Sequence, residues 1–270
     1  MIKSEDLSAL LQSIHSEYGY DFTEYAEASM LRRIMHFMNA NNIEDVRTLQ
    51  KKLLSDDLFF AHFIQEFTVN VTEMFRDPVF YKSLRDNVIP RLATYPFIKI
   101  WIAGCSTGEE VYSLAILLRE EGLLDRTVIY ATDINQRVLQ VAKEGVFPID
   151  YMKMYTSNYQ KSGGTGTFSD YYVAKYDSVL IDKTLRQNIV FSIHNLTVDK
   201  SFNEFQLILC RNVLIYFNQS LQNKVINLFY DSLCPFGFLA LGNKESLLFS
   251  DKQNDFEDID RKEKIFTRKS

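Results

Sequence analysis

Cysteine is scarce: Cys105, Cys210 and Cys234 are the only three in 270 residues, and no two form a C-x-x-C pair. The four histidines, His15, His36, His62 and His194, are scattered, so no metal-ligand spacing arises. A sparse, odd set of cysteines fits a reducing compartment and excludes a disulfide scaffold. No apolar stretch reaches the ~18 residues that a membrane span needs. The N-terminus, MIKSEDLSALLQSIHSEYGY, is acidic and amphipathic, without the basic start and apolar core of a secretory signal. These absences predict a soluble, cytoplasmic protein with no membrane insertion. A basic excess is missing too. The formal net charge is -5, which argues against a nucleic-acid partner. No glycine- or proline-rich linker, internal repeat or low-complexity tract divides the chain.

What is present suits a globular protein: 46% hydrophobic and 24% charged residues can bury a sizeable core. Residues 1 to about 66 read as helices separated by short polar turns. Ser4 is placed to cap a first helix carrying Leu7, Leu10, Leu11 and Ile14 on one face. A second helix is expected through FTEYAEASMLRRIMHFMNAN, and shorter ones around IEDVRTLQKKLL and SDDLFFAHFIQEF. The pattern changes near Thr68, which sets a helical domain over 1–67 and a second domain over 68–270.

From about residue 97 the rhythm is strand, then helix. FIKIWIAG, RTVIYATD, NIVFSIHN and FQLILCRN read as apolar strands. EEVYSLAILLREEG, stopped at Gly122, and NQRVLQVAKEG, capped by Asn135, read as helices. QSLQNKVINLFYDSLCPFG reads as a helix closed by Pro235 and Gly237, with FGFLALGN and EKIFTRK as late strands. Alternation of this kind predicts an α/β fold, a parallel sheet covered on both faces. Residues 148–187 break the rhythm. Gly163, Gly164 and Gly166 suggest a turn and YYVAKYDSVLI short antiparallel strands, so this segment is expected to be an inserted β-subdomain.

In an open parallel sheet, ligands bind beyond the carboxyl ends of the strands. Those ends carry Gly104 to Glu110, Asp133, Asn195 and Arg211-Asn212. The first loop, G-C-S-T-G, is neither G-x-G-x-x-G nor a P-loop, so it suits a nucleoside without phosphates. A carboxylate at Asp133, after the second strand, can accept both ribose hydroxyls. Together these point to S-adenosylmethionine. Taken singly, the glycines could make a tight strand-to-helix turn and Asp133 could cap the next helix. In TVNVTEMFRDP, Asn70, Thr72 and Arg76 stand among apolar residues; by themselves they read as a surface turn. In LILCRNVLIYFN, Arg211 and Asn212 cannot be buried without partners, so Arg211 is either paired within the protein or aimed at an anion. Tyr216 follows; spacing does not distinguish a functional tyrosine from a core aromatic.

NVTEMFRDP, GCSTGEEVYS, ATDINQRVLQVAKEGVF, HNL, CRNVLIYF and LGNKESL stand in the order and spacing of the chemotaxis receptor glutamate methyltransferases, and the chain resembles that CheR family over nearly its whole length. YGYDF and MLRRIMHFM resemble its helical N-terminal domain. The resemblance implies a doubly wound, Rossmann-like methyltransferase sheet with an inserted β-subdomain. It implies S-adenosyl-L-methionine, leaving as S-adenosyl-L-homocysteine, at Asn70, Thr72, Arg76, Glu110, Asp133, Asn195, Leu196, Arg211 and Asn212, to which the reading of the strand ends adds Gly104. Arg76 and Tyr216 are implied to lie near the transferred methyl group. The implied substrate is a glutamate on a chemoreceptor's cytoplasmic helices, the implied state a monomer. Val111 departs from the family's proline after the two acids. The inserted segment departs from the version that grips a receptor tail peptide in some members, which leaves tail binding open.

A glutamate side chain has a pKa near ~4.3 and is already an anion at neutral pH, so no general base is needed. That agrees with the absence of a Ser/His/Asp or Cys/His arrangement. Alignment of the reactants and exclusion of water are then the protein's task. Arg76 would hold a carboxylate, Tyr216 would orient the acceptor, and Glu110 would meet the cofactor's ammonium. Arg32-Arg33 reads either as a contact for an acidic receptor helix or as a solvated face. Rival readings are a small-molecule methyltransferase and a catalytically idle cofactor-binding module.

Overall fold

The computed structural model describes residues 2–67, 72–248 and 250–270. It divides into two compact units, one comprising Met1–Val69 with Leu214–Val225 and the other Asn70–Val213 with Ile226–Ser270. Among the described residues no helix is long and apolar enough to cross a membrane.

The first unit is built on helices α1 (Ser4–Tyr18), α2 (Glu27–Ala40), α3 (Val46–Ser55) and α4 (Asp57–Phe67). Leu7, Leu10, Leu11 and Ile14 line one face of α1 and are buried, as their spacing predicts. They join Phe22, Phe37, Phe63 and Phe67 in one apolar cluster. Ser4 does not cap α1: it is the first helical residue, Lys3 occupies the cap position, and no side chain caps the end. The helix stops at Gly19, whose φ of 75° permits the left-handed closing turn. α2 starts later than its apolar pattern suggests. Tyr25 and Ala26 stay extended because they pair with the segment around Phe217, through an antiparallel bridge of Tyr25 with Phe217 and a 2.9 Å bond from the Ala26 N–H to the Tyr216 carbonyl.

The second unit opens with α5 (Pro78–Ser83), a π-turn over Leu84–Val88 and α6 (Ile89–Leu92). The alternating region follows: β1 (Ile98–Ala103), α7 (Glu109–Glu120), β2 (Thr127–Asp133) and α8 (Gln136–Glu144). Next come β3 (Val146–Pro148), α9 (Met152–Lys161), β4 (Tyr172–Lys175), β5 (Ser178–Ile181) and α10 (Lys183–Arg186). The chain ends with β6 (Ile189–Ile193), β7 (Phe205–Cys210), α11 (Gln219–Ser232), β8 (Leu233–Leu241), β9 (Phe256–Asp260) and β10 (Ile265–Arg268). The large sheet has the order β6-β2-β1-β7-β8-β10-β9. Its first five strands run parallel, while β10 is antiparallel to both β8 and β9. This is the doubly wound α/β arrangement expected from the alternation, and its order reverses beside β1, the position at which open sheets of this kind bind ligands. The central strands are near-continuous apolar runs because both faces are covered.

Three details differ from the expected elements. The helix α11 stops at Ser232, and Pro235 and Gly237 lie inside β8 instead of closing the helix. The acidic FEDID segment forms β9, a sheet edge, where charged side chains discourage further pairing. The region that breaks the rhythm does form a small antiparallel sheet, β3-β5-β4, but it starts at Val146 and contains a full helix, α9, that the glycines and tyrosines disguised. Its Gly163–Gly166 loop is gathered by Glu120 on α7. The Glu120 carboxylate accepts from the Thr165 and Gly166 N–H groups at 3.2 Å and from the Tyr171 hydroxyl at 2.9 Å, and also pairs with Tyr159 and Arg85.

Candidate functional site

The parallel strands β1, β2, β6 and β7 all end on one rim, and their last residues lead into Gly104, Asp133, Asn195 and Arg211. Backbone bonds tie these ends together. The Gly104 and Cys105 N–H groups donate to the Thr132 carbonyl at 2.8 and 2.9 Å, and the His194 N–H to the Asp133 carbonyl at 3.2 Å.

The rim is held in unusual backbone conformations. Phe75, Asp77, Ser106 and Asn212 have φ of 53°, 57°, 49° and 61°, in the left-handed region that non-glycine residues avoid. Such strain persists only where surrounding contacts impose it, and it concentrates at functional sites. Gly104 shares this conformation at φ 78°, and a Cβ there would stand 2.4 Å from Val213 Cγ2. Glycine is therefore required at 104 by close packing against Val213 as well as by its backbone.

Asp133 is the hinge between two loops. Its Oδ2 accepts the Ser106 N–H and its Oδ1 the Asn135 N–H, each at 2.9 Å. Burial raises its pKa, and the N–H donors of Asn135, Ser106 and Ile134 oppose that rise. Capping of α8 falls to Asn135, whose Oδ1 accepts the Arg137 N–H at 3.0 Å. A carboxylate has about four lone-pair positions. The Ser106 and Asn135 N–H groups take two of them and the Ile134 N–H lies against the carboxylate as well, which still leaves acceptor capacity toward a ribose. In the same loop the Ser106 hydroxyl is buried with no hydrogen-bond partner among the described residues.

The two acids at the mouth of α7 have different tasks. Glu109 turns inward, 6% exposed, and its Oε2 accepts the Thr107 hydroxyl at 2.6 Å. Burial raises its pKa, against the pull of Thr107. Its carbonyl accepts the Ser113 hydroxyl at 2.6 Å, and that hydroxyl accepts the Phe75 N–H at 2.8 Å, which fixes the turn before Arg76. Glu110, its side chain 13% exposed, pairs with Arg211 Nη1 at 2.8 Å. Arg211 Nη2 pairs with Asp77 at 2.7 Å, and the guanidinium carbon lies 3.9 Å from the Phe80 ring centroid. Burial pulls the Arg211 pKa down, but Glu110 first, with Tyr81 and Asp77 behind it, outweighs the burial, and the net shift is upward. Of the two sequence readings of Arg211, partnership within the protein is the one observed.

Arg76 sits half-buried in the turn between Met74 and Asp77, and its carbonyl faces both Arg211 terminal nitrogens at 3.5 Å. Thr72 is half-buried just before it. Asn70 lies outside the described residues. Beyond β6, the Asn195 Oδ1 accepts the Thr197 N–H at 3.0 Å and its hydroxyl at 2.7 Å, closing a turn that buries Leu196. Asn212 is pinned by Glu245, a residue that neither periodicity nor strand ends mark in the sequence. Glu245 is 4% exposed, and its Oε2 accepts the Asn212 N–H at 3.0 Å and the Gly242 N–H at 2.5 Å. The signal was present in LGNKESL, a carboxylate just after a glycine turn, but nothing in its spacing names a partner.

Tyr216 belongs to the first unit by its contacts. It is half-buried at the end of a 3-10 turn over Leu214–Tyr216, with the Arg33 guanidinium carbon 4.3 Å from its ring centroid. Arg32 is exposed while Arg33 is partly buried, so the dipeptide is not one solvated face.

Residues 70–265 match the family described as CheR methyltransferase, SAM binding domain, and residues 5–68 match CheR methyltransferase, all-alpha domain. A "Putative methyltransferase Cher3" of Pseudomonas putida is 48% identical over 263 residues, 97% of this chain and 96% of that protein. A "Chemotaxis protein methyltransferase" of Listeria innocua is 32% identical over 87% of each chain. One of the same description from Borreliella burgdorferi is 28% identical over 91% of this chain and 89% of its own.

Proposed function

We propose that this chain, which belongs to the CheR methyltransferase family and takes S-adenosylmethionine as its cofactor, methylates glutamate side chains on the cytoplasmic helices of chemotaxis receptors. The observation that carries the cofactor site is Asp133 at the carboxyl end of β2, half-buried, bonded to the Ser106 N–H and retaining acceptor capacity. Asp133 would take the ribose hydroxyls. Glu110, paired with Arg211, would take the ammonium, and Arg76 or the Thr72 hydroxyl the carboxylate end. Asn195 and Leu196 would flank the adenine, and the Gly104 loop and Arg211-Asn212 would form the walls. Residues 1–67 serve as the helical domain and 68–270 as the methyltransferase domain, with 148–187 inserted into it.

When bound, S-adenosylmethionine supplies an electrophilic methyl group on a sulfonium. The acceptor is a carboxylate that is ionised at neutral pH, so the residues of this chain need to bind, orient and desolvate it without removing a proton. Holding the reactants in line accounts for up to roughly 7–11 kcal/mol of barrier. Tyr216 would orient the acceptor by its hydroxyl. The relatives described as chemotaxis protein methyltransferases support receptors as the substrate class.

The test is transfer of tritiated methyl from S-adenosylmethionine to a purified receptor cytoplasmic fragment. Alkali-labile label on glutamates, released as methanol, is expected. Tight binding of S-adenosylhomocysteine with no transfer to any receptor fragment would overturn the substrate assignment.

A further inference from the structure

Arg33 does something other than offer a surface charge. Its Nη1 donates to the Phe67 carbonyl at 2.7 Å, and its guanidinium carbon stands 4.3 Å from the Tyr216 centroid and 5.8 Å from that of Phe67. Its Nε and Nη2 are buried without a hydrogen-bond partner among the described residues. The flat face of the guanidinium is committed to an aromatic ring.

The backbone around Tyr216 is also fixed from the helical unit. The Ala26 N–H donates to the Tyr216 carbonyl and the Asn218 N–H to the Glu24 carbonyl, each at 2.9 Å. Gln222 Nε2 donates to the Leu214 and Phe217 carbonyls at 3.0 Å. Tyr25 packs edge-on against Phe217, with centroids 4.9 Å apart. With its main chain held on both sides, the freedom left to Tyr216 is rotation of its ring, and Arg33 lies on that ring.

We propose that Arg33 is a positioning residue that sets the Tyr216 ring, and so its hydroxyl, for the acceptor. This rests on the reading of Tyr216 as the residue that orients the acceptor. The adjacent Arg32, which is exposed, remains the one suited to a receptor's acidic face.

A double-mutant cycle tests this, with methyl transfer to a receptor cytoplasmic fragment as the assay. Arg33→Ala is expected to lower kcat roughly 10–100-fold, the scale on which misplacement acts. The KM for the receptor fragment and the affinity for S-adenosylhomocysteine should stay unchanged. Arg33→Lys should not restore kcat, because an ammonium lacks the planar face. Tyr216→Phe should lower kcat as well, and Arg33→Ala combined with Tyr216→Phe should be no worse than Tyr216→Phe alone. Arg33→Gln replaces the alanine if that variant does not fold. A raised KM with unchanged kcat in Arg33→Ala would overturn the proposal in favour of a receptor contact. Multiplying losses in the double variant would overturn it in favour of an independent role. Full kcat in Tyr216→Phe would remove the Tyr216 reading itself, and the proposal with it.

Discussion

Arg211 and Glu110 stand 101 positions apart in the chain and form a 2.8 Å ion pair beneath the rim of the sheet. With Asp77 on the other terminal nitrogen at 2.7 Å, Arg211 fastens the turn that carries Arg76 to the start of α7 and the end of β7. Phe80 covers its face at 3.9 Å. Three segments that supply expected site residues therefore share one buried cation.

Removing that cation should be costly. Arg211→Met is expected to destabilise the protein by about 3–5 kcal/mol, because it leaves Glu110 and Asp77 without their shared partner. Arg211→Lys should recover little, since one ammonium cannot grip two carboxylates as the planar fork does. Urea denaturation of the three proteins reads this directly. A loss below about 1 kcal/mol in Arg211→Met would mean that the pairs add nothing beyond surface bridges.

Asp133 gives a pH dependence with a defined sign. Burial raises its pKa above the ordinary ~3.9, the backbone N–H donors resisting. In folding, a carboxyl raised in this way contributes stability that is present below its unfolded pKa and lost as pH rises through its folded pKa. In binding, the ionised form is the one that accepts both ribose hydroxyls. Affinity for S-adenosylhomocysteine should thus fall as pH is lowered through the folded pKa, with a midpoint above ~3.9. Asp133→Asn should be weak at every pH and lack this limb. Calorimetric titration from neutral toward acid pH, above the acid unfolding point, checks both statements; a flat wild-type profile would contradict them.

Glu245 should behave as a support of the Arg211-Asn212 corner. Glu245→Ala leaves the Asn212 and Gly242 N–H groups without their acceptor, a cost of about 1–3 kcal/mol. Affinity for S-adenosylhomocysteine should drop about tenfold or more as Asn212 leaves its left-handed conformation. Glu245→Gln keeps one oxygen acceptor and should fall between. Unchanged affinity in the alanine variant would remove Glu245 from the site.

Gly104→Ala should destabilise by about 1–3 kcal/mol through overpacking, since its Cβ would meet Val213 Cγ2 at 2.4 Å. Val213→Ala in the same chain should restore part of the loss and not all of it, because the φ of 78° stays unfavourable to alanine. Thermal unfolding of the single and double variants distinguishes the packing share from the backbone share.

The rim of the sheet was legible because the apolar strands end abruptly at polar residues, and a parallel sheet turns those ends toward one crevice. Asp133 and the G-C-S-T-G loop needed no more than that. α9 was hidden because MKMYTSNYQK mixes polar residues with tyrosines and precedes a glycine cluster, so its helical period is weak. β9 was hidden because FEDID has the composition of a solvated turn and becomes a strand only by pairing with β10. The division of labour between Glu109 and Glu110, the inward turn of Arg33 and the grip of Glu245 on Asn212 arise from contacts across long stretches of sequence. Periodicity carries no information about such contacts.

The claim on which the account depends is that the carboxyl ends of β1, β2, β6 and β7 hold S-adenosylmethionine through Asp133. Calorimetric titration of wild type and Asp133→Ala with S-adenosylhomocysteine tests it most directly. One site per chain is predicted in the wild type. The variant should lose about 100-fold in affinity, the scale of two hydrogen bonds to a charged acceptor, while it still unfolds cooperatively with a stability loss of about 1–3 kcal/mol from the Ser106 and Asn135 N–H groups left without their acceptor. Equal affinity in the two proteins would contradict the account.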